Sequence, residues 1–340
     1  MLIANCIPDD GGWSPIQHMV ALASELLESD LLAVSKDKPS IVDKLLSILK
    51  DRSLYGRGHE SCLLVCTGPG DLVKVLTIPG WRKRFKFLAA WIIDSFWLEH
   101  MPATFIRLLR PFDHLFITSG EDVDQWKDLT GAPVTWVPWG TDALRFGGGD
   151  SCRDWDVTRV GRQPPEWEDD AAVSAAALSL GIKYRGRPTR GGLSTLQNQE
   201  FLMGVYRNSK YLLAFSNSVN PESYTHPTRQ YLTGRWVDAL ACGATVAGVP
   251  PRGPSIDELL WPGATLDLGS IRRKEGLEIL ATALRRWTPE MAIKNNVMAL
   301  KKLDWRWRFK VIADVFGTYP IPLANELRLL QQRLAISPVT

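Results

Sequence analysis

The sequence predicts an α/β protein built from two doubly wound, Rossmann-like halves. Three features carry this expectation. Short apolar runs alternate with helix-period segments along most of the chain, as in parallel-sheet proteins. A Gly-Gly turn, Gly11-Gly12, joins the first strand-like run to the first helix. The alternation then restarts after the glycine run Gly147–Gly149. At 340 residues the chain is long enough for two ordinary domains. Two such halves facing each other leave a cleft between the carboxyl ends of their sheets, where ligands of this architecture bind.

The elements follow in order. "LIANCIPDD" is short and apolar and fits a strand. In "GGWSPIQHMVALASELL", Ser14 suits an N-cap, Pro15 the first helical position, and Gln17 the far side of a capping box. "SCLLVC", "FLAAWIID" and "HLFITS" read as strands, "VDKLLSILKD" and "EDVDQWKDL" as helices. "APVTWVPWG" reads as a last strand before a crossing. "RFGGGDS", Arg145 to Ser151, is the best linker in the chain. Beyond it, "WDVTRVG", "IKYRGRP", "KYLLAFSN", "ATVAGV" and "ATLDL" read as strands. "DDAAVSAAALSLG", "QEFLMGVYRNS" and "GRWVDALACG" read as helices, the first and last stopped by Gly181 and Gly243. From about Arg272 the chain is mostly helical. The expected division is residues 1–146, 147–315, and a helical segment 316–340 packing back on the first domain.

Composition removes several classes. With 45% hydrophobic and 23% charged residues the chain is neither disordered nor fibrous. A net charge of +3, with no long block of like charge, gives no reason to expect a nucleic-acid partner. "MLIANCIPDD" lacks a basic n-region, and the apolar stretch Phe87 to Leu98 is too short to span a bilayer and carries Asp94. The five cysteines form no Cys-x-x-Cys pair, and Cys62 and Cys66 would share one strand face. Reduced thiols inside a core, and a cytoplasmic protein, are expected. The 14 tryptophans, Trp139 and Trp261 among them, are expected mainly as packing residues. "WRKRFKF", Trp81 to Phe87, is basic and aromatic. A solvated face is the simpler account of it, and peripheral contact with an anionic membrane or acceptor is the alternative.

The most informative stretch is "YLTGRWVDALACGATVAGVPP". On a helix, Leu232, Trp236, Ala239 and Leu240 take one side, while Tyr231, Arg235, Asp238 and Cys242 line another. A surface ion pair between Arg235 and Asp238 is the bland reading. A ligand site is the sharper one. Thr233 or Gly234 stands at the helix N-terminus, whose free amides and positive dipole end favour a phosphate. Arg235 beside them adds a bidentate clamp, and Asp238 one turn on can accept from a ribose diol.

"RWVDALACGATVAG" resembles the signature of the GT-B glycosyltransferases, family 4 or glycosyl transferases group 1, in which an acidic residue precedes Ala-[Leu/Met]-Ala-Cys-Gly. That resemblance implies a nucleotide-sugar site. The family's paired glutamates, with seven residues between them, fall on Gln230 and Asp238, for donor sugar and ribose respectively. Gln230 departs from the pattern. "TRVGRQPPEW" is similar to the family's strand and Gly-Arg, which would make Arg162 a diphosphate ligand. The family's following lysine is absent, since Pro165, Glu166 and Trp167 occupy that region, and Arg229 or Arg235 would supply the second cation. "VPWGTDALRF" is similar to the crossing between the family's domains. "PDDGGWSPIQHMVALASEL" matches its glycine loop, so the Gly11 and Gly12 amides would approach donor phosphate or acceptor. "AAWIIDSFW" keeps Asp94 where the family's strand ends in His-Asp, with Ile93 in place of the histidine.

Each assignment has a plainer rival. Gly11-Gly12 also serves as a tight turn, Asp94 as a helix N-cap, and His18 as a polar residue of the first helix. His226, in the polar loop "SVNPESYTHPTRQ", is either a donor contact or part of a solvated turn.

Transfer from such a donor needs the departing diphosphate stabilised. No acidic metal motif stands in a convincing place: "DWD", Asp154 to Asp156, begins a strand, and "EDVD" looks helical. Arg162, Arg235 and a helix N-terminus would do that work without metal. The expectation is therefore a metal-independent transferase with no cofactor beyond its nucleotide-diphosphate sugar. The resemblance leans towards retention at the anomeric carbon, whereas inversion would make Asp94 the base. The acceptor, whether glycan, lipid or small molecule, and the oligomeric state are not readable. A sugar-nucleotide epimerase and a non-catalytic nucleotide-sugar-binding protein are the alternatives.

Overall fold

A computed structural model of the chain describes residues 1–34, 58–102, 111–189 and 191–336. The helix expected over Val42–Asp51 lies outside the described residues. The chain divides into two compact units, Met1–Pro138 with Arg308–Glu326, and Trp139–Trp307 with the chain from Leu327 on.

The first unit is a parallel sheet in the order β2-β1-β3-β4-β5-β6. Its strands are β1 (Leu2–Asn5), β2 (Asp30–Ala33), β3 (Glu60–Cys66), β4 (Phe85–Ile92), β5 (His114–Ile117) and β6 (Val134–Trp136). The edge strand β2 had no recognisable sequence pattern. It is a strand because its four residues pair in register with β1, from Leu2↔Asp30 to Asn5↔Ala33. Helix α1 (Ser14–Leu26) follows a 3₁₀ turn over Gly11–Trp13, and α2 (Val123–Thr130) is capped by Gly131 at φ 68°. The capping box at Ser14 does not form, because the N-cap is Trp13. Gln17 instead donates to the Ile7 and Pro8 carbonyls (2.8 and 3.1 Å) and accepts from Asn5 (3.1 Å). It braces the loop after β1 rather than the helix start.

The core of this unit runs along the middle strands and takes in Cys6, Cys62 and Cys66, all buried. Burial pushes the Cys62 thiol up to about 12 and raises Cys66 as well, so these are unreactive apolar fillers. Within "WRKRFKF", Trp81 and Phe85 are core residues, and Arg84 is ion-paired to Glu60. Among the described residues, no helix is long and apolar enough to cross a membrane.

The second unit repeats the plan with a parallel sheet in the order β11-β10-β9-β7-β8. Its strands are β7 (Trp155–Arg159), β8 (Tyr184–Arg185), β9 (Ser209–Leu213), β10 (Thr245–Gly248) and β11 (Thr265–Asp267). Its helices include α3 (Asp170–Ser179), α4 (Thr195–Arg207), α5 (Gly234–Ala241), α6 (Arg273–Leu284) and α7 (Pro289–Lys302). A true capping box, Ser194 with Gln197, starts α4.

The glycine run Gly147–Gly149 is packed inside this unit. A Cβ on Gly147 would stand 2.3 Å from the Ala143 carbonyl oxygen, and one on Gly149 would stand 2.8 Å from Ile293 Cα. These glycines allow backbones to touch; they are not a loose tether. Beside them Arg306, fully buried, bonds Asp142 (2.8 Å) and Asp304 (3.0 Å). Asp304 also accepts from the Leu144 amide (2.9 Å), tying the segment after Trp139 to the end of α7. Burial raises the Asp304 carboxyl, and Arg306 offsets only part of that rise.

In each sheet the strand order reverses at one point, between β1 and β3 and between β7 and β9. The loops leaving the carboxyl ends at those points are where open α/β sheets bind ligands.

Candidate active site

The second unit brings most of the expected residues to its own switch point. Two loops meet there: residues 160–164 after β7, and residues 214–233 after β9, leading into α5. Gly161 adopts φ 74°, a left-handed conformation that keeps this turn tight. The Arg235 guanidinium crosses from α5 and donates to the Arg162 carbonyl (3.0 Å) and the Val160 carbonyl (3.4 Å). Among the described residues no carboxylate pairs with Arg235. Burial, with Arg162 as a second cation nearby, lowers its pKa. It is a desolvated positive charge whose partners are carbonyl dipoles.

Arg162 lies against Glu222 (3.3 Å) and over the Tyr224 ring (5.5 Å to its centre). Glu222 is about half exposed, so the pair is a solvated one. Thr233 is the N-cap of α5, and its side chain makes no capping bond. The first amides of α5, from Gly234 on, therefore retain the open anion-facing character of a helix start.

The polar loop is not a loosely solvated turn. His226 is 3% exposed, and its Nδ1 accepts from the Arg229 amide (2.9 Å) and the Thr228 amide (3.2 Å). That places the ring proton on Nε2. Asn217 Nδ2 donates to the His226 and Arg229 carbonyls (2.9 and 2.7 Å). Gln230 Oε1 accepts from the Arg252 amide (2.9 Å) and the Ser216 hydroxyl (3.3 Å), joining this loop to the one after β10.

Asp238 sits differently from its partner on the helix. It is 1% exposed and accepts from Gln199 Nε2 of α4 at 2.9 Å, so Arg235 and Asp238 form no ion pair. Cys242 is also buried, with Sγ 3.3 Å from the Met203 carbonyl. Helix α5 packs against α4, α7 and β10, which covers the side that the sequence pattern had left polar.

In the first unit, Gly11 and Gly12 form the 3₁₀ turn after β1. The Gly12 amide is taken by Asp10 Oδ1 (2.9 Å), and Ser14 Oγ donates to the Gly11 carbonyl (3.0 Å). Asp94 lies two residues past β4, its amide bonded to the Thr67 carbonyl (2.7 Å), and it caps no helix. Burial pushes its carboxyl up to about 7. Because folding raises this pKa, stability falls as pH rises from about 4 towards 7. Asp94→Asn should therefore raise the melting temperature at pH 8 and change it little at pH 4. An equal gain at both values would contradict burial of the charged form.

Several participants gave no sequence signal. Glu222 and Tyr224 at Arg162, Gln199 at Asp238 and Glu168 beside the Gly161 turn are ordinary polar residues until the fold brings them together. Among the described residues no three His, Cys, Asp or Glu side chains gather as a metal site. In "DWD", Asp156 is engaged by Lys210 (2.7 Å) and the Lys183 amide (2.9 Å).

No protein-family profile and no curated protein matches this sequence. Solved structures do resemble the fold. Anabaena HepE in complex with UDP-glucose has a TM-score of 0.55 at 11% identity, covering 93% of this chain and 99% of HepE. HepE in complex with UDP has a TM-score of 0.54 at 11% identity over 93% of this chain and 100% of HepE. AviGT4, a glycosyltransferase involved in avilamycin A biosynthesis, has a TM-score of 0.49 at 11% identity, covering 93% of this chain and 96% of AviGT4. Two parallel Rossmann-like sheets and a likeness spanning nearly the whole chain give one conclusion: the protein has the GT-B fold.

Proposed function

We propose that the protein is a glycosyltransferase that moves a sugar from a uridine-diphosphate sugar to an acceptor. The observation that carries this is Arg235, a desolvated cation at the switch point of the second sheet with no carboxylate partner among the described residues. A half-buried charge held only by carbonyl dipoles is costly, and an anionic ligand would offset that cost. HepE, of the same fold, is known in complexes with UDP-glucose and with UDP, which supports a donor of that class.

In this reading Arg235, Arg162 and the α5 amides at Thr233–Gly234 stabilise negative charge as the glycosidic bond breaks. The work is done by cationic side chains and a helix dipole, so no divalent ion is required. His226, Arg229 and Gln230 shape the loop that borders the donor, and Asp238 backs α5 from within. Gly11, Gly12 and Asp94 belong to the acceptor side. Retention is the stereochemical course we propose, following the family resemblance.

The test is UDP release from UDP-sugars across a panel of glycan, lipid and small-molecule acceptors, with and without EDTA. Acceptor-dependent UDP release that survives chelation is expected, with the product's anomeric configuration read by NMR. Formation of an epimer from donor alone, or UDP binding with no transfer to any acceptor, would contradict the proposal.

A further inference from the structure

The turn that carries Arg162 is held from two directions. On one side Arg235 takes the carbonyls of Val160 and Arg162. On the other, Arg187 donates to the Gly161 carbonyl (3.0 Å), and Glu168 Oε1 accepts from the Gln163 amide (2.6 Å). Arg187 and Glu168 are themselves joined at 3.3 Å. Glu168 is anchored in turn by buried Arg159, which bonds its carboxylate (2.7 Å) and its carbonyl (3.0 Å) and pairs with Asp170 (2.6 Å). Although burial raises the Glu168 carboxyl, Arg159 and the Gln163 amide hold it below the usual carboxylate range.

This group contains two guanidinium and two carboxylate charges, so it adds little net field to the neighbouring anion site. Its effect is geometric. A trans peptide sets its carbonyl and amide on opposite sides. By fixing the Gly161 carbonyl, Arg187 turns the Arg162 amide the other way, and that amide donates to nothing among the described residues.

Resting on the donor reading above, we propose that Glu168 and Arg187 are positioning residues that fix the Gly161–Gln163 turn and so aim the Arg162 amide and side chain at the donor diphosphate. Neither residue touches the donor itself.

Calorimetric titration with UDP, together with melting temperatures, tests this on the full chain. Arg187 is about half exposed, so Arg187→Ala should leave the melting temperature almost unchanged. It should nonetheless weaken UDP binding roughly tenfold, the scale of one or two lost polar contacts. Glu168→Gln should weaken UDP binding in the same direction, and the double variant should be little worse than either single change, as for residues acting as a unit. If Arg187 touched phosphate directly, Glu168→Gln would remove a nearby negative charge and strengthen binding, which would overturn the proposal. Variants that melt lower but bind UDP like the wild type would show a merely structural role and also overturn it. Wild-type protein without UDP affinity would sink the donor reading and this inference together, whereas a binding wild type with indifferent variants sinks only the inference.

Discussion

Arg235→Gln should lower turnover by roughly 10²–10³-fold, the loss seen when one preorganised stabiliser of transition-state charge is removed. The melting temperature should not fall with it. Glutamine is too short to keep the two carbonyl contacts, but their loss is offset because the change relieves a desolvated charge with no carboxylate partner among the described residues. Activity and stability therefore part company at this position, as expected where a strained site serves function. Arg235→Lys keeps the charge but loses the planar guanidinium, whose Nη1 makes both carbonyl contacts, so intermediate turnover is expected. A bland helix residue would behave otherwise, with wild-type kinetics in both variants. Melting curves and steady-state kinetics on the same preparations distinguish the two.

The second large effect concerns stability alone. Arg306→Met should destabilise the second unit by about 3–5 kcal/mol, because it leaves two buried carboxylates without their shared cation. Asp304→Asn should cost much less. Burial already raises that carboxyl, so neutralising it removes a charge the fold holds reluctantly. Asp142→Asn should fall between them, since Asp142 both pairs with Arg306 at 2.8 Å and accepts from the Arg145 amide at 3.2 Å. Urea denaturation of the three variants gives the ranking. Arg306→Met within 1 kcal/mol of wild type would mean that the surroundings relax around the two acids, contrary to the close packing seen here.

Most of the architecture was legible because strands and helices of an α/β chain announce themselves by period. "SCLLVC", "KYLLAFSN" and "GRWVDALACG" lie on β3, β9 and α5 as their patterns indicate. Strand β2 was not, since four residues carry no period and its identity comes from pairing with β1. The start of α5 at Thr233–Gly234 was also readable, with Arg235 in its first turn, while Arg162, which meets Arg235, was indicated by the family resemblance. What the sequence could not show was the inward turn of Asp238. A helix pattern separates two sides of a helix but does not say that both are covered, and α4 supplies Gln199 to the second. Gln17 fails as a capping residue for a related reason. The loop after β1 offers it two carbonyls, a stronger claim than one helix amide. Glu168 and Arg187 were invisible because their importance lies in the backbone atoms they hold, and sequence spacing carries no information about those.

The most direct measurement is a crystal structure of the protein with UDP bound. The diphosphate should lie within about 3 Å of the Arg235 guanidinium and the first amides of α5, with Arg162 released from Glu222 to reach it. UDP seated elsewhere, with Arg235 still bonded only to the Val160 and Arg162 carbonyls, would contradict the assignment of this site to the donor.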